Sequence, residues 1–146
     1  MNLCGKKKSH VIICVAFLVG ALIIFDQTIK WFILHTNIVK NMCNYGIAMG
    51  IILPQSVFFV LWLVIMMVIV YFLSKKINQT FAVILPYIFI LAGGVSNVID
   101  RMMYGCVVDY IPLLSISSFN FADALITIGA ILILWQTLRK SQKENL

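Results

Sequence analysis

Long apolar runs, broken by short charged clusters, set the pattern of this chain. No charge occurs from Ser9 to Phe25, and the apolar character continues past Asp26 to about Leu34. A second uncharged stretch covers Asn41 to Ser74 and is solidly apolar after Pro54. A third covers Ile77 to Ile99, and a fourth, from about Phe119 to Leu138, holds one charge, Asp123. Each run is long enough to cross a hydrocarbon layer as a helix, and lipid forbids an unpaired backbone. Four transmembrane helices are expected, at about 11–32, 56–74, 81–99 and 119–138. The strict alternation of a membrane barrel is absent. The expected fold is therefore an all-α, four-helix membrane bundle, a single domain spanning 1–146.

Composition sharpens the reading. The chain of 146 residues is 62% hydrophobic and 11% charged, with a mean hydropathy of +1.04. A soluble domain is far more polar, so a water-soluble enzyme or a nucleic-acid-binding module is excluded. The net charge of +6 does not reopen either class, because eight of the eleven cations fall in three clusters: Lys6 to Lys8, Lys75 with Lys76, and Arg139, Lys140 and Lys143. Under the positive-inside rule these clusters mark the cytoplasmic side. Lys30, Lys40 and Arg101 fall on the other. Both termini are then cytoplasmic, and loops at about 33–55 and 100–118 face outward. The first run is expected to be a retained helix rather than a cleaved signal, since no small-x-small site follows its apolar core.

The chain has five acids, and this topology puts four of them, Asp26, Asp100, Asp109 and Asp123, at one membrane face. At about 1.5 Å rise per residue, Asp123 stands roughly 24 Å above Arg139, near the outer edge of the hydrocarbon. Acids at such depth are costly and usually face a protein interior or a wet cavity. Asp26 has Lys30 one helical turn on, a pairing that is structural as readily as functional. Asp100 adjoins Arg101, although adjacent helical residues point apart. Asp109 and Asp123 are different, being the only charges between Met102 and Leu138. Brought together in apolar surroundings, two such carboxyls share a proton rather than both ionising. That is the state an aspartyl protease needs. Read without that convergence, Asp123 is a helix-start acid favoured by the dipole and Asp109 a loop residue.

Five segments, in order, resemble those of the bacterial lipoprotein signal peptidases, also called signal peptidase II. Asp26, Gln27 and Lys30 are similar to the family's Asp-Gln-x-x-Lys, and Asn44, Gly46, Ala48 and Gly50 to its Asn-x-Gly-x-Ala-x-Gly. Gly93, Gly94, Asn97, Asp100 and Arg101 resemble Gly-Gly-x-x-Gly-Asn-x-x-Asp-Arg. Val107, Val108, Asp109 and Ile111 resemble Val-Val-Asp-x-Ile, and Phe119, Asn120, Ala122 and Asp123 resemble Phe-Asn-x-Ala-Asp. The resemblance implies a membrane aspartyl endopeptidase that removes signal peptides from prolipoproteins, cutting before a diacylglyceryl-modified cysteine. It needs no metal or other cofactor. Asp109 and Asp123 would be the catalytic dyad. Asn97, Arg101, Asn120, Asp100, Asn44, Gly46, Asp26 and Lys30 would support dyad and substrate.

The same resemblance implies a small, partly extended cap from the first outer loop. It also implies an active site on the extracytoplasmic side of a bacterial inner membrane. Lipidated prolipoproteins and membrane lipid are the expected partners, with no nucleic acid and a monomeric chain. Three positions depart from the family pattern. Ser96 stands for the third Gly of the Gly-rich motif, where a side chain is expected to disturb close packing, and Ile47 and Met49 replace small and aromatic residues.

Other chemistries are weaker. Cys43 and Cys106 would both face outward, where a disulfide can form, so a four-helix membrane thiol oxidoreductase is the rival enzyme class. Against it, no Cys-x-x-Cys occurs and Cys14 lies within a helix. His10 and His35 sit at opposite ends of the first helix, too far apart to share a metal. No pattern supports a serine nucleophile among Ser96, Ser115, Ser117 or Ser118. A small ion or proton transporter predicts acids spread through membrane depth rather than gathered at one face.

Overall fold

The computed structural model describes residues 3–36, 43–46, 54–113 and 117–144. Helix α1 covers Leu3–Thr36, α2 Gln55–Lys76, α3 Phe81–Tyr104 and α4 Phe121–Glu144. Among the described residues, all four are long and apolar enough to cross a membrane. The chain is thus mostly helical, as its apolar runs require. Of the first-loop residues, Lys40, Ile47, Ala48, Met49 and Gly50 lie outside the described residues, as does Ser115.

Boundaries differ from the sequence expectation in an instructive way. α3 was expected to stop at Ile99, leaving Asp100 and Arg101 in an outer loop. Instead it continues to Tyr104. Nothing in residues 99–104 breaks a helix, and the stop is Gly105, which caps α3 at φ 75° with its N–H on the Arg101 carbonyl at 3.1 Å. That left-handed conformation suits glycine. α4 begins at Phe121, two residues later than expected, because Ser117–Phe119 is spent as a strand. α1 and α4 also run past their apolar stretches. Charge along these helices marks where polar partners begin, not where the helix ends.

α3 is the central helix. Some 56% of its spanning window is buried, against 6% for α1, 11% for α2 and 17% for α4. Residues such as Phe17, Val60, Val70 and Ile131 on the other helices point outward, the faces a bilayer would solvate. At one end of the bundle, Leu73, Ile77, Ile84, Tyr87 and Ile88 form the buried core, with Val11, Val15 and Leu18 of α1 and Ile133 of α4 against it. Successive helices are therefore antiparallel, and the start of α1 and the end of α4 lie at this end.

Two details show how α3 and α4 pack so closely. Pro86 lies inside α3, where it cannot donate to the carbonyl one turn back. The freed Ala82 carbonyl accepts instead from Gln136 Nε2 of α4 at 2.9 Å. Near the other end, a Cβ on Gly93 would run into the Ala122 carbonyl and the Ile126 side chain. Only glycine lets the two backbones meet there.

Among the described residues, four short strands cover that second end. β1 (Cys43–Asn44) pairs antiparallel with β2 (Val107–Val108), and β3 (Ile111–Leu113) with β4 (Ser117–Phe119). Cys43 and Cys106 are disulfide-bonded, so the pairing that the sequence left open is made. A small, partly extended cap is present, but β2, β3 and β4 come from the second outer loop; of the first loop, the described residues contribute β1 alone.

Candidate active site

Below the strands, the i,i+4 spacing of Asp26 and Lys30 puts both on the face of α1 that meets α3. Lys30 Nζ lies 2.6 Å from Asp26 Oδ2 and 2.7 Å from Asp100 Oδ2, and all three side chains are at most 1% exposed. Asp100 therefore pairs across helices rather than with its neighbour Arg101. The remaining lone pairs are met as well. Asp26 accepts from Ser96 Oγ at 2.6 Å and from the Ala122 N–H at 3.1 Å, in the first turn of α4. Asp100 accepts from Gln27 Nε2 at 2.8 Å and from the Val108 N–H at 3.1 Å. A buried charge cluster is tolerable only with such full satisfaction.

From this cluster a chain of amides leads to the other two acids. Lys30 Nζ donates to Asn97 Oδ1 at 3.1 Å, which turns the amide nitrogen of Asn97 toward Asp123 Oδ1, 2.7 Å away. Asn120 Nδ2 donates to Asn97 Oδ1 at 3.1 Å and to Asp109 Oδ1 at 2.8 Å. Asn120 and Asp123 also form a capping box at the start of α4. The Asp123 N–H donates to Asn120 Oδ1 at 2.9 Å and the Asn120 N–H to Asp123 Oδ2 at 3.2 Å, satisfying two otherwise orphaned donors. Asp123 is thus both a helix-start acid and a neighbour of Asp109, two roles that the sequence set against each other.

The cap closes the set. Asn44 Nδ2 donates to Asp109 Oδ2 at 2.7 Å, and its Oδ1 accepts the Gly46 N–H at 2.9 Å. Arg101 Nη2 donates to the Gly46 carbonyl at 2.5 Å, while the guanidinium stacks 4.3 Å from the Phe58 ring centroid. All ten residues singled out from the sequence fall in one connected network.

Asp109 and Asp123 both line a cavity of about 550 Å³ between α2, α3, α4 and the cap, walled by apolar Trp62, Ile65, Met66, Ile90 and Ile126. A somewhat larger hollow, about 600 Å³, runs along α1 alone and is lined mainly by apolar side chains, with no acid or base. The two acids lie in the smaller one. Among the described residues, ion pairs within 4 Å are those of Lys30, so neither cavity acid touches a cation. Burial pushes the Asp109 carboxyl up to about 6, with the Asn44 hydrogen bond opposing and the charge of Asp123 adding to the rise. Weaker downward pulls come from Asn120 and Lys30.

Several contributors had not been picked out as site residues. Gln27 reaches Ser96 and Asp100, and the Tyr110 hydroxyl accepts the Phe121 N–H at 3.2 Å. Burial raises the Tyr110 phenol above its usual value, opposed by that Phe121 hydrogen bond. Nothing local in the sequence marks Tyr110, whose partner is set by the fold. Ser96 does not disturb the packing expected around it. It is 1% exposed, and its hydroxyl joins the charge cluster.

Residues 18–139 match the family profile described as signal peptidase (SPase) II. A lipoprotein signal peptidase of Streptococcus pneumoniae is 30% identical, the match covering 96% of this chain and 99% of that protein. One of Staphylococcus carnosus is 32% identical over 95% of this chain and 99% of its own. Two solved structures, each described as a bacterial membrane enzyme determined by the in meso method, share the fold. One has a TM-score of 0.77 at 28% identity, covering 89% of this chain and 90% of its own. The other has a TM-score of 0.72 at 29% identity, covering 86% and 92%.

Proposed function

The chain belongs to the signal peptidase II family of multi-pass membrane proteases, and we propose that Asp109 and Asp123 are the dyad with which it cleaves lipidated prolipoproteins. The observation that carries this reading is the pair itself: two carboxyls facing one cavity, joined through Asn120, each without a direct ion pair among the described residues.

With one proton shared between them, the ionised member takes a proton from a water molecule whose oxygen attacks the scissile carbonyl. The protonated member gives its proton to the carbonyl oxygen. Collapse of the tetrahedral species breaks the C–N bond and passes a proton to the departing amine. The pair ends with one proton again, ready for the next water. The proton belongs to the pair, since coupled carboxyls titrate as a unit. Asn44, Asn97 and Asn120 hold the carboxyls in place, and Arg101 fixes the Gly46 carbonyl of the cap. The buried Asp26, Lys30 and Asp100 cluster supports that frame from below.

The substrate is a prolipoprotein cut just before its diacylglyceryl-bearing cysteine. The apolar walls beneath the dyad suit a scissile bond held at the lipid surface, with acyl chains beside it. The site is read as extracytoplasmic, at a bacterial inner membrane, with both termini inside and the chain acting as a monomer. Lysine and arginine clusters at the far end of the bundle and a disulfide at the site end support that orientation. The same disulfide is the one observation favouring a thiol oxidoreductase. Its Cys106 side is fully buried, and Cys14 is an exposed free thiol on the first helix.

Cleavage of a diacylglyceryl-modified prolipoprotein by wild type, Asp109→Asn and Asp123→Asn tests the assignment. Each variant is expected to lose on the order of 10⁴-fold in kcat. Full activity in either removes the dyad.

A further inference from the structure

We propose that the Cys43–Cys106 disulfide is a positioning element of the active site, holding the Asn44 carboxamide against Asp109. This rests on the dyad reading above and extends it to residues that none of the family-like motifs contains.

The two halves of the bond are unequal. Cys106 is fully buried and stands between two fixed points: Gly105, whose N–H caps α3 on the Arg101 carbonyl, and Val108, whose N–H is tied to Asp100 Oδ2. Cys43 is exposed and opens β1, a strand of two residues with two partners on β2. So short a ladder is marginal on its own. The disulfide joins it covalently, across a sequence separation of 63 residues, to the stretch that carries Asp109.

The next residue is Asn44. Its Oδ1 is taken by the Gly46 N–H, which leaves Nδ2 facing Asp109 Oδ2 at 2.7 Å. A closed ring results, running from the Cys43 sulfur through Asn44 to Asp109 and back along Val108 and Val107 to Cys106. Opening the disulfide opens the ring at its one covalent cross-link. The charged groups near Asp109 are Asp123 from α4, Lys30 from α1 and Arg101 from α3. α2 presents apolar Phe58, Leu61 and Trp62 to the same cavity. The amides on Asp109 are those of Asn44 and Asn120. Losing the first removes a donor that favours the ionised carboxylate.

Reduction breaks one S–S bond with two electrons and two protons from an added dithiol, which closes to its own disulfide and leaves two thiols here. The test uses full-length enzyme with Cys4 and Cys14 changed to Ser, so that the bonded pair are its remaining cysteines. Cleavage of a diacylglyceryl-modified prolipoprotein is followed across the acid-to-neutral range, oxidised and after dithiothreitol. Reduction is expected to lower kcat about tenfold, the worth of one good hydrogen bond, and to move the limb that reports Asp109 to higher pH. Reoxidation should restore both. Cys43→Ser with Cys106→Ser should match the reduced enzyme and ignore the reductant. Asn44→Ala should show the same loss when oxidised, with no further loss on reduction.

Equal kcat and pH limbs in the two redox states would overturn the proposal, as would additive losses in Asn44→Ala. So would disappearance of the cooperative thermal melt on reduction, since the bond would then be a staple of the fold. Asp109→Asn separates the two readings. If it is active, the dyad fails; if it is inert while reduction changes nothing, the positioning role alone fails.

Discussion

Two groups of acids lie a few side chains apart at one end of this bundle, and they have opposite characters. Asp26 and Asp100 flank one ammonium at 2.6 and 2.7 Å and are sealed from solvent. Asp109 and Asp123 face a cavity and are held by neutral amides from Asn44, Asn97 and Asn120. The residue type is the same in both. What differs is whether a cation touches the carboxylate. A carboxylate paired with a buried ammonium and fully hydrogen-bonded serves the frame, whereas an amide-held one facing a cavity is left open to chemistry. Lys30 links the groups while keeping them distinct, because its hydrogen-bonded path to Asp123 runs through the Asn97 carboxamide.

The sharpest way to break this contrast is to measure stability rather than activity. Lys30→Met strips two buried carboxylates of their partner and is expected to destabilise the fold by about 3 to 5 kcal/mol. Asp109→Asn should do the reverse at neutral pH. The Asp109 carboxyl is pushed up to about 6 from an ordinary 3.8, so the folded chain keeps a proton that the unfolded chain has released. Stability therefore falls as pH rises from the ordinary carboxylate range toward 6, and an uncharged Asn removes that cost above it. Thermal or denaturant unfolding in detergent checks both variants. Equal destabilisation by the two would erase the distinction between frame and dyad.

A second test reads the same difference as a pH profile. One shared proton makes activity fall once both dyad members ionise, so the alkaline limb of kcat/KM is expected near pH 6, the value to which burial lifts Asp109. kcat should carry its limb higher, because a bound substrate excludes further water from the cavity. Steady-state kinetics over that range decide it. Unchanged activity well above pH 6 in kcat/KM would show that the dyad is not held as described.

Much of this was legible in the sequence because it is local. Apolar runs between charge clusters gave the four helices, the i,i+4 spacing gave the Asp26 and Lys30 pair, and the absence of any cation between Met102 and Leu138 isolated Asp109 and Asp123. Long-range partners were not legible. That Asp100 pairs with Lys30 and that Tyr110 meets the α4 backbone depend on how helices and strands stack, and Cys43 and Cys106 could be named as a possible pair but not as a bonded one. The end of α3 was misplaced for a related reason. Asp100 and Arg101 read as the start of a watery loop, yet Asp100 is buried in the charge cluster and the helix runs on to its glycine cap.

The smallest effect is expected at Ser96, and it tests the contrast from the frame side. Its hydroxyl donates to Asp26 at 2.6 Å and accepts from Gln27 at 2.9 Å, with no bond to either dyad acid among those described. Ser96→Gly, which restores the residue of the family pattern, removes one charge-assisted hydrogen bond and the bond from Gln27, and adds glycine's entropy within a helix. Together these are worth about 1 to 2 kcal/mol of stability. Asp26 keeps Lys30 and the Ala122 N–H, so the cluster should hold and the pH limb of kcat/KM should stay where wild type has it. A shifted limb in this variant would mean that the frame sets the protonation of the dyad directly, and that the two groups of acids form one titrating system.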